Sequence, residues 1–140
     1  MLRQAACELH VGTSGRGLYE ITDQLLAWIS KAAIRTGLLT VHVCHTSASL
    51  VIQENADPDV RRDLDAFFAR LVPDGDPLYI HTAEGDDDMP AHVRSALTSA
   101  NLSIPVLNGT LALGTWQGVY VWEHRCSSHR RKLALHLLGE

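Results

Sequence analysis

The sequence predicts an α+β fold, with largely antiparallel sheets, as a sheet pair flanked by about three helices. Three observations carry that prediction. Segments with the two-residue period of strands alternate with segments of helical period. The C-terminal half is rich in strands but has no room for the long crossovers that parallel pairing needs. Asn108-Gly109 lies between two apolar runs, the strongest short-range hairpin signal. At 140 residues, one domain spanning 1–140 is expected. A chain of this size buries roughly 68–70% of its unfolded surface, enough for one core.

In chain order, "RQAACELHV" predicts a first strand, "GTSGRG" a turn and "LYEI" a short second strand. A helix starts at Thr22 or Asp23, carries Leu25, Ile29, Ala32 and Ala33 at helical spacing, and is expected to end at Gly37. "LLTVHVCH" reads as a strand on which Leu39, Val41, Val43 and His45 share one face. "ASLVIQEN" follows as the next strand, after a turn at Thr46–Ser47. The second helix, "DPDVRRDLDAFFARLVP", is the clearest. Asp57 can cap it, Pro58 suits its first position, Val60, Leu64, Phe67, Phe68 and Leu71 form a predicted buried stripe, and Pro73 stops it. "PLYIHT" predicts a short extended strand. "MPAHVRSALTSA" predicts a third helix with Val93, Leu97 and Ala100 inward. "SIPVLNGTLALG" is the hairpin, its first strand demoted towards an edge by Pro105. "GVYVWEHR" and "KLALHLLGE" complete the strands.

Composition narrows the function classes. A net charge of −4 argues against electrostatic nucleic-acid binding. Three cysteines without a CxxC motif argue against a disulfide scaffold and suit a reducing compartment. No stretch approaches the roughly 20 apolar residues of a membrane helix, and no signal-peptide pattern opens the chain. The expected setting is therefore cytoplasmic, with no membrane or nucleic-acid partner.

The densest chemistry lies in "EGDDDMPAH", where Glu84, Asp86, Asp87 and Asp88 precede His92. Carboxylates near a helix N-terminus are favoured by its dipole, and Asp88 is a good cap. Capping does not account for Glu84, which points to a cation or proton-transfer site. His92 in the first turn is expected to be neutral, as a metal or acid–base role requires. His45 heads the hydroxyl-rich "HTSAS", and His81 closes an extended run. No HExxH pair and no GxSxG elbow is present, so neither a helical zinc protease nor a serine nucleophile is indicated. Arg125, Arg130 and Arg131 form a basic cluster. Together with the acidic segment they suit a diphosphate, with carboxylates on a divalent cation and arginines on the anion. Trp116 and Gln117 between glycines offer a flat wall for an aromatic ring.

Four motifs, "HTSASLVIQENADPDVRRD", "YIHTAEGDDDMPAH", "IPVLNGTLALGTWQGVYVWEHR" and the closing "RR…LLGE", resemble the YjbQ-like family from about Gly17 to the C-terminus. Members are often described as secondary thiamine-phosphate synthases. The family's polar motif positions fall here on His45, Thr46, Ser47, Asn55, Asp57, His81, Glu84, Asp88, His92, Gln117, Glu123, His124 and Arg125. The resemblance implies an α+β fold with a largely antiparallel, β-sandwich-like core, a homotrimer, and the joining of an aminopyrimidine diphosphate to a thiazole phosphate with release of diphosphate.

On that basis His45, His81 and His92 are expected to hold a divalent metal, Mg²⁺ or Zn²⁺. Glu84, Asp88, Glu123, His124 and Arg125 are the expected catalytic groups. Thr46, Ser47, Asn55, Asp57, Trp116, Gln117, Arg130 and Arg131 are expected to bind a small phosphorylated substrate. The nucleophile belongs to the thiazole, which agrees with the missing Ser or Cys motif. The alternative is a trimeric metal- or metabolite-binding accessory protein whose catalysis is incidental. Trp122 and the "RCSSHRR" stretch depart from the family pattern near the pocket rim.

Overall fold

The computed structural model describes residues 1–140. Eleven elements follow one another as β1 (Arg3–Ser14), β2 (Gly17–Glu20), α1 (Thr22–Ala32), β3 (Gly37–Val43), β4 (Ala48–Glu54), α2 (Pro58–Leu71), α3 (Asp88–Leu97), β5 (Asn101–Leu107), β6 (Thr110–Leu111), β7 (Gln117–Glu123) and β8 (Ser128–Gly139). One sheet has the order β1-β8-β3-β5-β6 and the other β2-β7-β4, and the pairings are antiparallel. This is the expected α+β architecture with three helices. No helix is long and apolar enough to cross a membrane.

The core lies between the sheets and under α1. Strand alternation sends Leu39, Val41 and Val43 of β3 and Leu133, Leu135 and Leu137 of β8 inward, where they meet Leu50, Val119 and Val121 of the smaller sheet and Leu25 and Ile29 of α1. The larger sheet leaves its other face open. β7 is covered on both sides, because Val119 and Val121 face the core while Trp122 meets Phe68 of α2 edge-on at 4.8 Å between ring centroids.

Several local expectations change. α1 ends earlier than expected, with Ala33 in the left-handed conformation, and Gly37 opens β3 instead. Gly37 pairs with Gly139, and a Cβ on Gly37 would fall 2.3 Å from the Leu138 carbonyl oxygen, so close backbone approach requires glycine there. Asn108 and Gly109 both have positive φ, 53° and 75°, as the two-residue hairpin turn between β5 and β6 demands.

The predicted strand at "PLYIHT" is an irregular segment of turns. Its expected apolar residues find no face to pack on, and Leu78 and Ile80 are 85% and 99% exposed. In α2 the predicted stripe splits: Val60, Leu64 and Phe68 are half-buried, while Phe67 and Leu71 are exposed. In α3 the inward face is Asp88, Pro90, Ala91 and Arg94 rather than Val93, Leu97 and Ala100. That rotation puts polar side chains inside, and the candidate site depends on it.

Candidate functional site

Asp88 and His92 stand four residues apart on α3, so their side chains share one helix face. The irregular 72–87 segment folds back and brings His81 to the same place. His81 Nε2 lies 2.6 Å from Asp88 Oδ2, and His92 Nε2 lies 3.2 Å from that same oxygen. Glu84 Oε2 is 3.7 Å from His81 Nε2. The imidazole rings meet edge-on with centroids 5.4 Å apart. One ligand atom from each of His81, Glu84, Asp88 and His92 falls within 4.8 Å of the others.

Asp88 is therefore not the predicted helix cap. It is 2% exposed, and its other oxygen, Oδ1, lies 2.8 Å from Arg125 Nη1. Arg125 also donates through Nε to Asp87 Oδ2 at 2.9 Å and through Nη2 to the Glu84 carbonyl at 3.0 Å. Burial alone would raise the Asp88 carboxyl above the usual range. His81, Glu84, Arg125 and His92 outweigh burial and hold it below that range. Asp87 is lowered in the same sense: Arg125 and the Cys126 N–H overcome its burial.

The hydrogen bond of His92 restricts its chemistry. Its Nδ1 lies 3.1 Å from the Thr46 carbonyl oxygen, which can only accept, so Nδ1 carries a hydrogen. In the neutral ring Nε2 is then a lone pair facing a carboxylate oxygen. Two acceptors at 3.2 Å need a proton or a cation between them. A backbone carbonyl on the second ring nitrogen is also the usual outer partner of a metal-ligating histidine. Two imidazole nitrogens with two carboxylates match the donor preference of Zn²⁺ and related transition ions. Mg²⁺ prefers an all-oxygen shell.

A second network lies beside the first, at the mouth of the sandwich. Glu123, fully buried, accepts from Arg131 through both oxygens, from Thr13 Oγ1 at 2.5 Å and from the Arg125 N–H at 3.1 Å. Burial pushes its carboxyl up, but Arg131, Thr13 and the Arg125 amide hold it below the usual range. Arg131 also donates to the Ser47 carbonyl and hydroxyl. His124 is 1% exposed, meets Ser49 Oγ at 2.8 Å through Nε2, and is lowered to about 3 by burial and by Arg94.

The structure thus gathers His81, Glu84, Asp88, His92 and Arg125, with the Thr46 carbonyl on His92 and Glu123 on the Arg125 N–H, and leaves the other expected site residues outside this cluster. His45 does not join the other two histidines, because its Nε2 accepts the Lys132 N–H at 2.8 Å. A lone pair used that way cannot also bind a metal. Arg125 and Arg131 are committed to carboxylates and are not free to grip an anion. Arg131, Glu123 and Ser47 are buried, so they set the frame and do not meet a solute. His124 is buried, with Nε2 on Ser49 Oγ and with no hydrogen-bond partner for Nδ1. Arg130 is exposed next to Arg131 in an alternating strand, so it points to the open face of the larger sheet.

Asn55, Asp57, Trp116 and Gln117 lie at the far end of the smaller sheet. β7 runs from Gln117 to Glu123, so its ends are roughly 20 Å apart. These side chains have structural partners. Asn55 Nδ2 donates to the Thr115 and Gln117 carbonyls, Asp57 accepts the Asp59 N–H, and Gln117 Oε1 accepts the Gly114 N–H. Trp116 is 64% exposed. Thr46 contributes through its backbone carbonyl, which no side-chain pattern reveals. Asp87, read as part of the acidic segment, anchors Arg125, and Thr13, read as part of a turn, bonds Glu123.

The family model described as "UPF0047 protein YjbQ-like" matches residues 7–140. The UPF0047 protein of Synechocystis sp. is 53% identical over 94% of this chain and 90% of its own. YjbQ of Salmonella typhimurium is 44% identical over 89% of this chain and 91% of its own. A crystal structure of a hypothetical protein from Aeropyrum pernix superposes with a TM-score of 0.88 at 30% identity, covering 97% of this chain and 99% of that one. A YbjQ-like protein of unknown function from Sulfolobus solfataricus superposes with a TM-score of 0.91 over 100% of both chains, which at 24% identity speaks for the fold.

Proposed function

This chain belongs to the YjbQ-like UPF0047 family, and on that premise we propose that His81, Glu84, Asp88 and His92 hold a divalent transition-metal ion, with Zn²⁺ the best match, at which a small phosphorylated molecule reacts. The observation that carries this reading is the convergence of one ligand atom each from His81, Glu84, Asp88 and His92 within 4.8 Å, with His92 Nε2 and Asp88 Oδ2 placed so that a proton or a cation belongs between them. A bound divalent ion would polarise a phosphoryl oxygen and stabilise a departing diphosphate. Asp87 and Arg125 hold Asp88 in place, and the Thr46 carbonyl fixes the His92 tautomer. The specific reaction within this proposal is thiamine phosphate formation, in which the thiazole ring nitrogen attacks and diphosphate leaves. It needs no protein nucleophile. The assembly within this proposal is a homotrimer, and the exposed Leu78 and Ile80 beside His81 support a covered surface there.

The second reading, a metal- or metabolite-holding accessory protein, is favoured by one observation. Arg125 and Arg131 are both committed to carboxylates, which leaves no guanidinium in the centre for a diphosphate. The experiment is thiamine phosphate formation from the two precursors with added Zn²⁺ or Mg²⁺, comparing wild type with His92→Ala after sedimentation has shown both to be the same trimer. The enzymatic reading expects turnover in wild type and its loss in the variant. Equal turnover in both, or none in either, leaves the accessory reading.

A further inference from the structure

His45 stands outside the four-residue centre, and its one hydrogen bond defines what it can do. β3 pairs with β8 as far as Val43 opposite Leu133. Cys44 N–H then donates to the Lys132 carbonyl at 3.0 Å. A continuing strand would return a carbonyl to the Lys132 N–H. Here the chain turns away, and the His45 ring takes that position with Nε2 as acceptor. The ring hydrogen must then sit on Nδ1, which has no protein acceptor and can only donate. Burial and the neighbouring Arg131 charge lower the His45 pKa and keep the ring neutral.

His45 borders a hollow of about 330 Å³ shared with Thr46, His92, Ser95, Ala96 and Ala100. Ser95 Oγ already donates to the Ala48 carbonyl at 3.1 Å. No carboxylate, lysine or arginine lines the hollow. Ser95 and Ala96 belong to the last turn of α3, the negative end of the helix dipole, which disfavours an anion. The two alanine methyls offer a small apolar surface. His92 belongs to both hollow and centre, so a group seated here lies next to whatever the centre holds.

We propose that this hollow is a binding subsite for a small, neutral group carrying a hydrogen-bond acceptor, such as a ring nitrogen or a carbonyl, recognised by His45 Nδ1–H. Its place as part of a substrate site rests on the metal-centre reading, but the recognition itself does not. The test is ¹H–¹⁵N NMR of the histidine rings during separate titrations with pyrimidine, inorganic phosphate and Zn²⁺. The expected result is His45 in the Nδ1–H tautomer, with its signals moved by pyrimidine and not by phosphate. Pyrimidine binding should weaken about five- to tenfold in His45→Ala, the loss of one neutral hydrogen bond. His45→Ala also frees the Lys132 N–H, so Ala96→Leu serves as the second variant: it fills the hollow, leaves that bond intact and should weaken binding at least as much. A hydrogen on Nε2, no response of His45 to pyrimidine, a response to phosphate, or unchanged binding in Ala96→Leu would each overturn the proposal. Zn²⁺ is read on His81 and His92, so its failure to bind overturns the metal reading and leaves the subsite standing.

Discussion

Asp88 and Glu123 are the two carboxylates around which the polar residues organise, and each has its own arginine. Both are buried, so each depends on a partner that removing one side chain would take away. Arg131→Met should leave Glu123 charged and unpaired inside the sandwich and cost about 3–5 kcal/mol in denaturant unfolding. Replacing Glu123 and Arg131 together with apolar residues of similar volume should cost far less. Equal losses for the single and double changes would contradict the pairing. At this scale the sequence was partly legible. "EGDDDMPAH" stood out because repelling charges need a reason, and His81, Glu84, Asp88 and His92 do converge. His45 falls outside that cluster, because residue type cannot tell a ligand from a ring that replaces a strand carbonyl. Arg125 and Arg131 pair with carboxylates, and a sequence shows the number of arginines and not their partners.

Among the elements, α2 was the most legible and α3 the least. Asp57 and Pro58 mark the start of α2 through chemistry local to the chain, and the structure keeps both roles. Asp57→Ala should lower stability by about 1 kcal/mol and leave Zn²⁺ binding unchanged, since the cap lies at the far end of the smaller sheet from the centre. A matching loss of metal affinity would show that the two ends are coupled. α3 misled because its apolar residues, Val93 and Leu97, outscore its polar ones in any periodicity count. Its buried face carries Asp88 and Arg94 because those side chains find partners from the loop and from β7–β8, long-range contacts absent from local pattern. The same cause undid the strand predicted at "PLYIHT", whose alternation has no neighbouring strand to pair with.

For the whole molecule, the two-sheet architecture was legible because alternation, the Asn-Gly turn and the absence of long crossovers agree with one another. The coupling between the sheets, through Glu123, Arg131 and Thr13, was not. It predicts how the fold responds to acid. His124, lowered to about 3 from its ordinary value, binds a proton more readily in the unfolded chain, so stability should fall as pH drops from about 6.5 towards 3. The Glu123 carboxyl, also lowered, contributes stability that is complete above its unfolded value near ~4.3 and is lost as pH falls through the folded one. The two losses run in the same direction and begin at different pH. Replacing His124 with Gln should flatten the upper part of a stability–pH curve from urea unfolding and spare the lower part. An unchanged upper slope would show that His124 already accepts a proton in the folded state.

The central claim is that His81, Glu84, Asp88 and His92 form a metal centre, and calorimetric titration of Zn²⁺ into the metal-stripped protein tests it most directly. The account predicts one ion per chain, with affinity reduced in His92→Ala by at least the 10–100-fold that losing an outer-shell partner costs. No saturable binding in wild type, or equal affinity in the variant, would contradict it.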